Sequence, residues 1–301
     1  MNFALRFLFV LWILISTGYA GMAQMPGDGL MMYKGEFCSM LQYQHLDWSQ
    51  YWEGSRLRDN QNIGTFTRQS VMWMSNYGWS DRLNVMAALP WVHTGSSASY
   101  LSGQSGLQDV SLWVKGKLWE KQRGSHTWRG MLTAGGSVPV SRYAVDFMPF
   151  SIGFHNVSAS IRGIVHYQHE RWGYSTLQAG YTRQGRAHLD RNAYIYNHQL
   201  YYGNTVFVPD MADMTFRLGQ LRNRWQAEIF ADMSYALQGD DIRYNEAPFL
   251  TNKTARCAVG LWGKYWWGPF AVSAGGDYVI SGRNMGKSQT WQVALFYLFN
   301  I

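Results

Sequence analysis

Alternation of apolar and polar residues is the feature that most restricts the fold of this sequence. Between residues 107 and 119 the two kinds of side chain occupy opposite parities, with Trp113 as the exception. The apolar or small set is Val110, Leu112, Val114, Gly116 and Leu118, and the polar set is Asp109, Ser111, Lys115 and Lys117. Because side chains on a strand alternate between its two faces, this stretch predicts one strand with an apolar face and a charged face.

The same period recurs to the end of the chain and predicts about twelve strands. They span residues 36–44, 64–78, 83–92, 107–119, 128–139, 153–168, 174–183, 212–221, 225–238, 254–264, 270–280 and 289–301. Short turns alternate with mostly long, polar connections. That alternation is typical of an up-and-down antiparallel barrel of the bacterial outer membrane.

Charged residues decide which face of these strands meets lipid. All fourteen charged positions lie on the parity opposite to the apolar set of their strand: Glu36, Arg68, Asp109, Lys115, Lys117, Arg129, Arg162, Asp213, Arg217, Glu228, Asp232, Arg256, Lys264 and Asp277. A Lys or Arg facing lipid near the midplane costs about 2–4 kcal/mol. The sequence therefore predicts an all-β transmembrane barrel whose apolar face contacts lipid and whose charged face lines the interior.

Tryptophans cluster beside the predicted short turns rather than in mid-strand. The set is Trp79, Trp119, Trp128, Trp172, Trp225, Trp266 and Trp267. Because amphipathic rings are stable at the headgroup level, these positions predict an interfacial aromatic girdle. A soluble β-sandwich would instead place its aromatic residues in mid-strand, facing inward.

The first residues predict a cleaved leader. Arg6 precedes an apolar run from Phe7 to Ile15, and Ala20 and Ala23 offer small-residue cleavage points. This is the layout of a secretory signal peptide, so we expect residues 1–23 to be a signal peptide and residues 24–301 to form the barrel. The alternative is a retained helical anchor, but the apolar run is too short to span a membrane.

Composition restricts the function further. Aromatic residues make up 16% of the chain and charged residues 15%. The net charge of +7 is spread without a basic run, which does not favour a nucleic-acid partner.

Cys38 and Cys257 fall on opposite faces of non-adjacent predicted strands, so both are expected to be free thiols. No histidine pair has metal-ligand spacing, and neither a metal nor another cofactor is predicted.

The interior charges are the candidates for function, and two interpretations stay open. Eight basic residues against six acidic ones fit a structural network of ion pairs, because buried charges need partners. They also fit a solute path whose cationic excess would favour anions. The residues predicted to line or plug that path are Arg68, Asp109, Lys115, Lys117, Arg162, His166, Arg217, Glu228, Asp232, Arg256 and Asp277.

A hydrolase is the weaker alternative. Ser158, Ser160 and His166 lie inward by parity, whereas an outer-membrane hydrolase needs its site on the outer wall or in the loops. His188 and Asp190 lie in the long segment 184–211, and there is no G-x-S-x-G motif. We therefore expect no catalytic residues.

Three stretches in the middle of the chain resemble a known family. "SGLQDVSLWVKGKLW", "MLTAGGSVPVS" and "VSASIRGIVHYQHERWGYSTLQAGYTRQG" are similar to the glycine-rich strands of the outer-membrane family of MetA-pathway phenol-degradation transporters. Gln108 replaces one glycine of that pattern, and Val140 and Ser141 replace its Thr-Gly. The resemblance implies passage of hydrophobic or aromatic small molecules, as in long-chain fatty-acid channels. The terminal strand, rich in aromatic residues, also resembles the signal read by the outer-membrane insertion machinery.

Together these observations predict a passive channel in the outer membrane of a Gram-negative bacterium. The long loops would face outward and both termini would lie in the periplasm. The alternative is a structural or assembly barrel with a filled lumen, which would dock a partner through its loops. The aromatic segment 184–211 is the feature that would serve that role, either as a hairpin projecting beyond the barrel or folded inward.

Overall fold

The structure is a computed structural model that describes residues 25–98, 100, 102–242 and 246–300. Twelve long strands dominate it, and we number them β1 to β12 in chain order. Their bounds are Glu36–Trp48, Phe66–Ser80, Leu83–Ser96, Asp109–Arg123, His126–Pro139, Ser158–His169, Gly173–Gln184, Met211–Leu221, Trp225–Ala236, Ala255–Trp267, Phe270–Arg283 and Gln289–Asn300.

Each strand pairs antiparallel with the next, and the last strand closes on the first. β12 pairs with β1 from Glu36↔Asn300 to Asp47↔Gln289, and β1 pairs with β2. Closure leaves no unpaired edge, as a lipid environment requires. The predicted fold class, an all-β closed barrel of twelve antiparallel strands, is confirmed. Every predicted strand is present, and β4 extends to Arg123 beyond its predicted end.

The wall has an apolar exterior. Leu41, Ile229, Leu261 and Leu295 expose between 53% and 65% of their surface. The opposite parity carries the polar and charged side chains, of which Lys115 and His166 are almost fully buried. Among the described residues, no helix is long and apolar enough to cross a membrane.

One predicted girdle position departs from simple parity, and another is buried as its parity requires. A β-bulge between Lys117 and Trp119 moves Trp119 onto the outer face, although its parity matches that of Lys117. Trp266 was predicted in the girdle, and this is wrong: it is 7% exposed and packs inside the barrel. Its neighbour Trp267 already takes the outward position, and successive side chains on a strand must alternate.

The other girdle tryptophans lie on the exposed outer face near the short turns. Trp79, Trp119, Trp128, Trp172, Trp225 and Trp267 expose between 40% and 80% of their surface. Contact of these rings with lipid headgroups remains a prediction.

The two ends of the barrel differ. At the short-turn end, connections of two or three residues join β2 to β3, β4 to β5, β6 to β7, β8 to β9 and β10 to β11. The long-loop end carries small extra strands: the hairpin Gln50–Glu53 and Arg56–Asp59, the strand Ser105–Leu107 beside β3, and a long hairpin after β7. That hairpin pairs Arg186–His188 with Thr205–Phe207 and Ala193–Tyr196 with Gln199–Tyr202. Segment 184–211 is therefore a hairpin.

Cys38 and Cys257 are both free, as predicted. Cys38 is buried inside the barrel, and Cys257 lies at a bulge in β10 on the outward parity. The predicted signal peptide, residues 1–23, lies outside the described residues.

Candidate channel interior

The segment before β1 enters the barrel from the short-turn end. Its exit is tied to the rim, where the Gly35 amide donates to the Gly78 carbonyl and the Lys34 amide donates to the Asp81 carboxylate. Further back, the Asn84 side chain donates to the Met32 carbonyl inside the barrel. We call residues 25–33 the plug, because they occupy the lumen.

Lys115 on β4 anchors the far end of the plug. Its side chain is completely buried, and Nζ donates to Asp28 Oδ1 at 2.8 Å and to the Asp28 carbonyl at 2.6 Å. It also donates to the Met25 carbonyl at 3.2 Å. Thr133 on β5 adds a bond to the Pro26 carbonyl at 2.8 Å. A buried ammonium needs an anionic partner, and Asp28 supplies it.

Two glycines let the plug approach the wall this closely. A Cβ on Gly27 would lie 1.9 Å from Oε1 of Gln178, and a Cβ on Gly29 would lie 1.9 Å from Nδ1 of His166. Contacts under 3 Å require something to move, so a side chain at either position would displace the plug or its neighbours.

Below the anchor, the lumen is mostly apolar, with the buried Lys264 at its border. Met32 of the plug packs, 1% exposed, into a cluster formed by inward residues of the strands. The cluster contains Cys38, Met40, Met74, Met86, Ala88, Trp266, Ala271, Ala294 and Phe296. Unbranched methionine side chains fill irregular gaps well, so this region seals the short-turn end of the barrel.

The charged residues form ion pairs across neighbouring strands. Arg162 lies 3.3 Å from Asp213, and Arg217 lies 2.7 Å from Glu228. Arg256 bridges two carboxylates, Asp232 at 2.6 Å and Asp277. Tyr174 completes the Glu228 site by donating its hydroxyl at 2.6 Å. Seven of the fourteen predicted interior charges are therefore balanced within the wall in these pairs.

The remaining predicted residues are spread along the barrel axis. Arg68 donates to Gln108, and Asp109 accepts a hydrogen bond from Tyr143, both toward the long-loop end. Lys117 pairs with Glu120 near the short turns. His166 contacts the Thr176 hydroxyl at 2.7 Å and borders the plug at Gly29. The structure thus joins Lys115 and His166 through the plug and leaves Arg68, Asp109 and Lys117 apart from it.

Sequence reasoning missed Asp28, the plug residue that pairs with the buried Lys115 ammonium. Its signal is the short stretch "MPGDGL", an acidic residue between two glycines directly before the first strand. Apolar and polar residues do not alternate regularly in that stretch, so the strand pattern gives no indication of it.

The long-loop end is covered as well. Phe150 and Ile152, each 1% exposed, lie in the loop after β5, and the Phe150 carbonyl accepts a bond from Thr94. Trp52 packs against Ala258 and Val279 from the β1–β2 connection. With the plug below, loops and plug enclose the middle of the lumen.

The outer wall carries an apolar groove of about 760 Å³ across β8, β9, β10, β11 and β12. Side chains from both faces of the wall border it: Leu218, Ile229, Val259, Leu261 and Tyr278 from outside, and Phe230, Asp277 and Thr290 from within. Interior residues therefore contribute to the lining of this outer groove.

Among the described residues, the side chains considered for a hydrolase contact other groups. Ser158 bonds to Ser137 and His166 to Thr176, while His188 contacts Thr205. Among the described residues, no group of three or more His, Cys, Asp or Glu could hold a metal ion.

Comparison with known proteins supports the fold. No protein-family model and no curated protein matches the sequence. Among solved structures, the COG4313 outer membrane channel from Pseudomonas putida F1 is similar over 92% of this chain and all of its own, with a TM-score of 0.71 and 13% identity. The fold is that of an outer-membrane channel. At this identity the likeness extends to the fold alone.

Two further structures match with lower scores. The translocator domain of the autotransporter NalP from Neisseria meningitidis aligns over 97% of this chain and 93% of its own, with a TM-score of 0.47 and 13% identity. The TodX monoaromatic hydrocarbon channel, as a deltaS2 mutant, aligns over 89% of this chain and 91% of its own, with a TM-score of 0.39 and 11% identity.

Proposed function

We propose that this protein is a passive outer-membrane channel for small molecules, apolar ones among them, with its short turns in the periplasm and its long loops outside. The observation that carries the proposal is the nature of the obstruction. The plug is a short segment held by hydrogen bonds, one ion pair and apolar contacts, and it leads into the wall at β1. Its withdrawal would clear the middle of the lumen without breaking any strand pairing, while Phe150 and Ile152 would still cover the long-loop end.

A lateral exit into the membrane is the second part of this proposal. The apolar groove across β8 to β12, bordered by residues of both faces, would let an apolar solute leave toward lipid instead of crossing the sealed short-turn end. The likeness to the P. putida outer membrane channel and the family resemblance of the central strands agree with a transport role, and neither identifies the solute.

Single-channel recording in a planar bilayer tests the proposal. Protein without its leader, refolded in detergent, should give discrete conductance steps, with an ion selectivity that Arg162→Glu alters. A matched exposed variant, Lys121→Glu at the short-turn rim, should have a smaller effect on selectivity. A folded barrel without conductance and without uptake of an apolar solute into vesicles would contradict the proposal.

A docking role through the loops is the second candidate, and one observation favours it. The hairpin Ala193–Tyr202 exposes Ile195 and Leu200 at 54% each and Tyr202 at 86%. Deleting residues 193–202 should leave permeability unchanged in either case. Loss of a bound partner on deletion would favour docking.

A further inference from the structure

A small cavity of about 120 Å³ lies inside the barrel beside the plug. Met25 and Asp28 of the plug form one side of it. Residues from β8, β9, β10 and β12 form the rest: Arg217, Gln226, Glu228, Phe230, Trp262, Lys264, Gln292 and Phe296. At about 30 Å³ per water molecule, the space is of the order of a few waters or one small organic molecule.

The charge around this cavity is positive. Lys264 and Arg217 line it, and Lys115 lies directly behind Asp28. Two carboxylates face these three cations, and Glu228 is already held by Tyr174 and Arg217. Asp28 is therefore the anion whose place a ligand could take.

The rest of the lining is aromatic. Lys264 Nζ lies 4.6 Å from the ring centre of Trp266, 5.0 Å from that of Phe296 and 5.2 Å from that of Trp262. Arg217 lies 5.4 Å from the Phe230 ring. Rings of this kind accept a flat apolar body, while the cations attract an anionic group.

Two buried polar atoms at the cavity also lack partners among the described residues. They are Oε1 of Gln226, a side chain that is 5% exposed, and Nε of Arg217. Buried polar atoms normally have hydrogen-bond partners, so an acceptor and a donor remain for a ligand or water.

From these contacts we infer that the cavity is a binding site for a small aromatic carboxylate, and that Asp28 is its internal competitor. The ligand carboxylate would replace the Asp28 carboxylate at Lys115, and its ring would contact Trp262 and Phe230. This inference deepens the proposed function and rests on it, because binding would then release the plug.

The exchange is favourable for a reason of charge. Withdrawal of the plug alone would leave the fully buried Lys115 ammonium without its anion, which is costly. A carboxylate ligand compensates that charge as Asp28 leaves. A neutral ligand of the same shape cannot do so, and this difference gives the site its selectivity.

Calorimetric titration of the purified full chain in detergent tests the inference, with benzoate as the probe and benzamide as its neutral counterpart. We expect benzoate to bind and benzamide to bind at least about tenfold more weakly.

Asp28→Ala should strengthen benzoate binding by about tenfold or more, because the plug lowers the apparent affinity in proportion to the fraction of barrels that it fills. Lys115→Met should abolish it, whereas Lys121→Met, which removes an exposed charge at the rim, should not change it.

Equal binding of benzoate and benzamide, or an unchanged affinity in Asp28→Ala, would overturn the inference. If Lys115→Met does not fold, these two comparisons still decide. Bilayer recording distinguishes failure of the proposed binding site from failure of the proposed channel. Passage of solutes without benzoate binding rejects the site alone, whereas the expected binding pattern without any passage rejects the channel and leaves the site.

Discussion

Asp28 and Lys115 lie 87 positions apart in the chain, yet Oδ1 of the carboxylate is 2.8 Å from Nζ of the ammonium. The lysine side chain is completely buried at this contact. The pair joins a segment outside every barrel strand to the middle of β4. Whether the plug fills the lumen therefore depends on this buried ion pair.

Forcing a side chain into the plug should open the channel. Gly29→Val would place a Cβ 1.9 Å from the His166 ring. Such overpacking costs about 1–3 kcal/mol. That cost shifts the ratio of open to plugged barrels by about 5- to 150-fold, which single-channel open time measures. The control is Gly163→Ala, where a Cβ meets nothing within 4 Å. An unchanged open time in Gly29→Val would count against the plug as the obstruction.

A charge on the outer wall should destabilise the barrel according to its depth. Leu261 in the middle of β10 is 65% exposed on the apolar face. Leu261→Arg is expected to cost about 2–4 kcal/mol of unfolding free energy in lipid vesicles, and Leu237→Arg, near the long-loop end, about 0–1. Urea titration of the refolded protein measures both. Equal costs at the two positions would indicate that this face does not cross a membrane.

Adjacent tryptophans in β10 should differ in their contribution to stability. Trp266 is 7% exposed and packs in the interior cluster, whereas Trp267 is 48% exposed on the outer face. Trp266→Ala should cost about 3–5 kcal/mol because it leaves a cavity among packed residues. Trp267→Ala should cost less, as judged by the same urea titration. The reverse order would show that the two faces of β10 are misassigned.

The two thiols should react differently. Cys38 is 3% exposed among interior side chains, while Cys257 is partly exposed on the outward parity. A lipid-soluble maleimide is expected to label Cys257 in the folded barrel and to label Cys38 only after unfolding. Mass spectrometry of the digested protein assigns the label, and Cys257→Ser provides the control. Rapid labelling of Cys38 in the folded state would contradict its burial beside the plug.

Outside the membrane, one ion pair should give a titration signature. Hydrogen bonds from Arg283 hold the pKa of Asp241 below its usual range. A lowered carboxyl pKa stabilises the fold above the unfolded pKa of about 3.9, and this contribution is lost as the pH falls through the folded value. Arg283→Gln should therefore raise the pKa of Asp241 toward its ordinary value. Carbon NMR of labelled aspartate measures it, with Asp241→Asn for assignment.

Arg191→Gln serves as the matched control for this titration, because Arg191 pairs with Asp146 instead. It should leave the Asp241 signal in place. An Asp241 pKa that stays low in Arg283→Gln would mean that the carboxylate is stabilised chiefly by Asn284, which donates at 2.8 Å.

Trp119 and Trp266 show where reasoning from short stretches of sequence was insufficient. The bulge at Lys117 and Trp119 depends on how β4 and β5 pair, which alternation within β4 does not reveal. Trp266 and Trp267 are adjacent, so only one of them can face outward. Their clustering beside a turn indicated an interface for both, whereas Trp266 has the inward parity of Lys264 and packs in the interior cluster with Met32.

Alternation of side chains along a strand is a local property of the backbone. For that reason the sequence alone determined the strands, their order, the closed barrel and the face on which Lys115 or Arg162 lies. Only the tertiary structure decided that Asp28 meets Lys115, that Met32 seals the short-turn end and that a cavity remains between them. Those contacts join residues distant in the chain, and no periodic pattern records them. The close approach of the plug to the wall at Gly27 and Gly29 depends on the shape of the folded lumen.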